Sequence, residues 1–209
     1  MNARRLQIFA WSLSALVSIL AVISWGQGNG WKLAGLTIYQ IFPLLGLLAF
    51  SIMWSHYIAA VARLHFKQDR AVLKRYFEAT SLAVLAFILL HPGLLGWQLW
   101  RDGLGLPPAN ELNYVAPDMR LYIIIAMISY VIFLAYELRR KFGDRSWWKY
   151  IAYASDAAMI LIFIHSIKLG SQLQMGWFRA VWYFYGLTLL GALAYIYYQK
   201  SQSKKLAQE

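Results

Sequence analysis

Apolar residues fill six long blocks of this chain, and short polar stretches punctuate them. The blocks run over about Leu6–Trp25, Gly35–Ala62, Tyr76–Trp100, Leu121–Leu138, Trp147–Leu169 and Gly176–Tyr198. A helix rises about 1.5 Å per residue, so roughly 20 such residues cross the hydrocarbon core of a bilayer. The pattern predicts an all-α integral membrane protein: six transmembrane helices in one bundle, forming a single transmembrane domain over residues 1–209.

Composition supports that reading. Hydrophobic residues make up 60% of the 209 positions and charged residues only 14%, with a mean hydropathy of +0.48. A soluble domain carries about a quarter charged residues. No long polar segment is left over for a soluble domain, and no internal repeat or low-complexity stretch is found. The absence of cysteine excludes thiolate zinc sites, iron–sulfur clusters, disulfides and covalently attached haem.

The net charge of +11 would suit nucleic acid if it formed one patch, but the basic residues flank the apolar blocks. Their distribution sets sidedness instead. With the N-terminus inside, fifteen Lys and Arg residues fall on inner segments, among them Arg4, Arg5, Arg63, Lys74, Arg139, Arg145 and Lys204; Lys32, Arg101, Arg120, Lys168 and Arg179 are the five outside. The positive-inside rule then predicts a multi-pass protein of the plasma (inner) membrane with both termini cytoplasmic. No small-residue cleavage site follows the first block, and Gln27-Gly-Asn-Gly reads as a turn, so that block is expected to stay as a helix. Trp and Tyr at the block ends (Trp25, Trp31, Trp97, Trp100, Trp147, Trp148, Tyr197, Tyr198) read as interface belts against membrane lipid. The one long connection, Arg101–Arg120, contains Pro107, Pro108 and Pro117 and lies on the outer side, either as a solvated connector or as a cap.

Two histidines change the picture. His91 stands nine residues before Trp100, and His165 five before Gly170. Both therefore lie within about 8–14 Å of the outer surface, on the third and fifth blocks, which run in the same direction. An ionisable side chain in hydrocarbon is costly and marks a site by default. Neutral imidazoles are good ligands for haem iron, so His91 and His165 are the candidate cofactor and metal ligands. The plainer alternative is a pair of histidines hydrogen-bonded between helices. His91 also opens the run His91-Pro-Gly-Leu-Leu-Gly, whose proline gives up a helix bond and whose glycines permit close backbone approach.

His65 sits beside basic residues and reads as solvated. His56, Glu78 and Asp156 fall at similar depth in the inner half. They form either local pairs (Glu78 with Arg75 or another loop cation, Asp156 with His56) or, on a sharper reading, a proton or quinol site.

The chain from about Gly35 to Tyr198 resembles the ferric-reductase-like transmembrane superfamily. That group includes ferric reductases, the membrane part of NADPH oxidases and the haem-bearing membrane partner of periplasmic methionine sulfoxide reductase. Two segments carry the resemblance. One is Arg75-Tyr-Phe-Glu-Ala-Thr-Ser-Leu-Ala-Val-Leu-Ala-Phe-Ile-Leu-Leu-His91-Pro, with a basic start and a histidine towards its outer end. The other is Trp148-Lys-Tyr-Ile-Ala-Tyr-Ala-Ser-Asp-Ala-Ala-Met-Ile-Leu-Ile-Phe-Ile-His165. Many members keep a further histidine thirteen residues earlier on each helix. Here those places hold Glu78 and Ala152. The resemblance thus implies one b-type haem in the outer leaflet held by His91 and His165, with the usual inner haem absent or rebuilt; His56 has no counterpart in the family's pattern.

A one-electron carrier is the expected function, and the chain is a possible ferric-reductase-like oxidoreductase component. No glycine-rich dinucleotide fingerprint is found, and the tail beyond Tyr198 is too short for a flavin domain. Electrons would come from membrane quinol or a separate flavoprotein, quinol being favoured without an inner haem, and pass to an extracytoplasmic acceptor. Two alternatives belong to other classes: a haem-free structural or assembly subunit that kept the fold, and a small proton-coupled transporter using His56, Glu78 and Asp156.

Overall fold

The computed structural model describes residues 1–142, 147–174 and 176–206, without the side chains of 138–142, 148, 204 and 206. Arg145 and the side chains of Arg139, Arg140, Lys141 and Trp148 thus lie outside the described residues. The protein is all-helical, with no strand among the described residues. Helices α1 (Ala3–Gly28), α2 (Ile38–His65), α3 (Lys74–Arg101), α5 (Arg120–Phe142), α6 (Trp148–Leu169) and α7 (Trp177–Leu206) include six spans long and apolar enough to cross a membrane. A six-residue helix, α4 (Ala109–Tyr114), lies between α3 and α5.

The helices begin where side chains can satisfy their first N–H groups. Asn2 accepts from the Arg5 amide at 3.0 Å. Thr37 and Gln40 form a reciprocal capping box at the start of α2. The helix therefore begins at Ile38, three residues later than the apolar block that starts at Gly35. Gly35 itself has a φ of +74°, which suits a turn and not a helix.

Helix α2 is the hub. It packs along α1, α3 and α7, and 44% of its most apolar window is buried, against 11% for α5 and 17% for α6. Its contact with α7 is aromatic. Phe50 meets Trp182 at 4.7 Å between ring centroids, and Trp54 stacks on Tyr185 at 4.3 Å. The indole N–H of Trp54 donates to Thr188 Oγ1, and that of Trp182 to Ser166 Oγ on α6, so both polar handles are satisfied. Helices α5 and α6 pair closely as an antiparallel hairpin.

Trp25 departs from the expected interface belt. It is only 7% exposed and its indole donates to the Gln40 carbonyl at 2.6 Å, which makes it a core residue tying α1 to α2. Trp31, Trp97, Trp100 and Trp147 are exposed, as belt residues are.

A second polar staple joins α1, α2 and α3 near the basic end of the bundle. The hydroxyls of Ser14, Ser55 and Tyr76 form a closed triangle with sides of 2.7, 2.8 and 2.9 Å, and all three residues are buried. Interhelical hydroxyl bonds of this kind contribute roughly 0.6–2 kcal/mol each in membrane proteins.

The segment after α3 is largely exposed, as a solvated connector is, yet its α4 turn packs on α3 and forms a small cap there. Asn110 is fully buried, and its amide donates to the carbonyls of Gly96 at 3.0 Å and Gly105 at 3.1 Å. A Cβ on Gly96 would lie 3.1 Å from Pro107 and 3.4 Å from the Glu111 carboxylate, so the missing side chain lets the cap seat against α3. Burial raises the Glu111 carboxyl above the ordinary carboxylate range. A carboxyl raised on folding favours the folded cap while it is protonated, and that contribution is lost as pH rises through its folded pKa. Limited proteolysis between residues 103 and 118 is therefore expected to be slower at acid than at neutral pH. Glu111→Gln should protect this segment at neutral pH and flatten the dependence; proteolysis as fast as in the parent chain at neutral pH would contradict this account.

Candidate functional site

His91 and His165 both stand in the half of the bundle nearer the cap, and each is tied to a neighbouring helix in the same way. On α3, His91 Nδ1 donates to the Phe42 carbonyl of α2 at 2.7 Å. On α6, His165 Nδ1 donates to the Tyr122 carbonyl of α5 at 2.9 Å. A carbonyl can only accept, so both rings carry their proton on Nδ1 and present Nε2 as a bare lone pair. This is the tautomer a metal-binding imidazole adopts, with its second nitrogen anchored to a carbonyl. Both imidazoles retain some accessible surface.

The sequence around α2 makes room for this arrangement. A Cβ on Gly46 would lie 2.8 Å from His91 Cε1, 3.0 Å from Nδ1 and 3.3 Å from Nε2. Only glycine lets the ring lie this close to α2. The Phe42 ring packs on the imidazole from the same side, 5.3 Å between centroids. Gly46 was not singled out from the sequence, where it is one glycine in an apolar run. Its contact with His91 depends on the register between α2 and α3. Tyr122, which holds His165 through its backbone, lies under the Lys168 ammonium at 5.7 Å from the ring centroid.

The other titratable candidates separate. Glu78 is exposed and faces Lys74 at 4.0 Å across one helical turn, a local pair within the first turns of α3. His65 is exposed, as expected. His56 bonds Thr80: the Thr80 hydroxyl gives its proton to the Tyr76 carbonyl at 2.6 Å, so His56 Nε2 must donate to Thr80 Oγ1 at 2.7 Å. Its outer nitrogen is thereby committed, the reverse of His91 and His165.

Asp156 takes two tyrosines. Tyr57 of α2 donates to Oδ1 at 2.8 Å and Tyr197 of α7 to Oδ2 at 2.6 Å. The expected Asp156–His56 pairing gives way because each group has nearer hydroxyls on the helices facing it. The carboxylate thus bridges α2, α6 and α7. Asp156→Ala would leave the half-buried Tyr57 hydroxyl without this acceptor, a loss of roughly 1–3 kcal/mol. A lower unfolding temperature in detergent is expected, and an unchanged one would show that the bridge carries no stability.

Among the described residues, no cluster of three or more His, Asp or Glu side chains is arranged to hold a metal ion. Two bare Nε2 atoms suit a metal whose other positions are filled by a macrocycle, and not a hydrolytic metal centre, which takes three protein ligands. A comparison of the chain with family models, with characterised proteins and with solved structures found no match in any of the three.

Proposed function

We propose that this protein is a transmembrane b-type haem electron-transfer protein. In this reading it takes electrons from membrane quinol or a separate flavoprotein and passes them to an extracytoplasmic acceptor. The observation that carries it is the shared Nδ1–carbonyl anchor of His91 and His165, which leaves two Nε2 lone pairs in one half of the bundle. A haem bound there would supply a one-electron ferric/ferrous couple, tuned by the two imidazoles and a low-dielectric surrounding.

The residues have distinct parts. His91 and His165 would hold the group through Nε2, and the Phe42 and Tyr122 carbonyls fix ring orientation and raise imidazole basicity. Gly46 sets the position of the His91 ring. Lys168, one turn beyond His165, is a cation suited to a porphyrin carboxylate. Asn110 of α4 ties the segment after α3 to the Gly96 carbonyl, five residues beyond His91. The positive-inside bias orients the capped end outwards, with both termini in the cytoplasm of a plasma membrane. The resemblance to ferric-reductase-like membrane domains is consistent with one haem and no inner one, since Glu78 pairs with Lys74 at the surface.

A pyridine haemochrome assay on protein expressed with ample haem tests this directly, with one haem b per chain and reduction by a quinol analogue expected. A chain that folds and carries no haem would overturn the proposal in favour of a structural subunit.

A further inference from the structure

An apolar groove of about 320 Å³ runs along α6 and α7, and neither His91 nor His165 lines it. Ile160, Phe163, Ile164, Gly186, Leu187 and Leu190 line it, and Tyr183 stands at its capped end. Gly186 forms the notch: a Cβ there would lie 2.4 Å from the Phe163 ring.

Tyr183 at this end of the groove holds Arg179, which lies just beyond the lining. Arg179 Nη1 donates to the Gln174 carbonyl at 2.6 Å, and Nε and Nη2 both donate to the Tyr183 hydroxyl, at 3.3 and 3.1 Å. A guanidinium has five N–H groups. Two remain unused, as does the proton of the Tyr183 hydroxyl, which only accepts here. No carboxylate pairs with Arg179 among the described residues, where the ion pair found is Lys74–Glu78. Three unclaimed donors and a full positive charge call for an anion.

The dimensions identify the anion's carrier. From Arg179 to Leu190 is eleven residues, about 16 Å of helix, or half the roughly 30 Å hydrocarbon core. A cation at the headgroup level and an apolar channel one leaflet deep match a single phospholipid. We infer that α6 and α7 hold an anionic phospholipid, its phosphate on Arg179 and Tyr183 and an acyl chain in the groove beside Gly186.

Native mass spectrometry of the detergent-solubilised protein, offered equal phosphatidylglycerol and phosphatidylcholine, tests the inference. The expected result is at least tenfold preferential retention of phosphatidylglycerol. Arg179→Gln should abolish that preference, and Leu187→Trp, which fills the groove, should reduce retention of both lipids. Tyr183→Phe provides a second headgroup variant, read against tryptophan-fluorescence melting, should Arg179→Gln disturb folding. Equal retention of the two lipids, a preference surviving both headgroup variants, or a stable dimer of this chain broken by Leu187→Trp would overturn it. None of these readouts depends on haem content.

Discussion

Protein carrying His91→Ala is expected to lose essentially all b-type Soret and alpha absorption while keeping its fold, and His165→Ala is expected to do the same. On the proposed reading each substitution removes one of the two ligand nitrogens, and a haem without covalent attachment would depend on both. The cost to the fold is small by comparison. The Phe42 and Tyr122 carbonyls remain within their helices, so each variant gives up one side-chain bond, roughly 0.5–1.5 kcal/mol, and the packing of one ring. His56→Ala is the informative contrast. Its ring is bonded to Thr80 and packed edge-on against Tyr76 and Phe77, so the bands should persist while thermal stability falls. Absorption spectra and unfolding curves of the three variants separate ligand loss from unfolding. Bands that survive His91→Ala would exclude the assignment.

Gly46→Ala should weaken haem retention about 10–100-fold, the range seen when groups that orient a metal ligand are disturbed. The new methyl group would stand 2.8 Å from the His91 ring, which must then rotate or retreat and give up its 2.7 Å bond to Phe42. A change in midpoint potential is expected with it, since imidazole basicity depends on that bond. Gly93→Ala, two residues past His91, is the control. A Cβ there meets nothing within 4 Å, and the change should leave haem unaffected and stabilise α3 by about 0.5–1 kcal/mol. Titration with haem of apoprotein from the two variants measures the difference. Equal affinities would remove Gly46 from the site.

The six spans are legible in the sequence because hydrocarbon length imposes a pattern no other environment demands. Their ends are less so. Helix α7 continues to Leu206, eight residues past the apolar block that ends at Tyr198, because a helix persists in water wherever its backbone ladder is unbroken. Hydropathy measures the membrane and not the helix. Helix α4 was missed because six residues among prolines carry no periodicity; it is fixed by Asn110 reaching the Gly96 and Gly105 carbonyls. The histidines themselves could be picked out, as ionisable groups in apolar runs. Their anchors could not, since a backbone carbonyl has no residue identity. Trp25 shows the opposite error: its place at a span end imitates an interface residue, yet the neighbouring α2 covers it.

The aromatic seam between α2 and α7 joins residues as far apart as Trp54 and Thr188, 134 positions along the chain. Translation therefore delivers the hub of the bundle long before its last partner. A nascent chain halted ahead of Trp177 would already have placed both histidine helices in the bilayer, yet Phe50 and Trp54 would still face acyl chains. Completion of the bundle thus waits on α7, and frameshifts ahead of that helix should yield inserted but unsealed protein, the kind of product that membrane proteases clear.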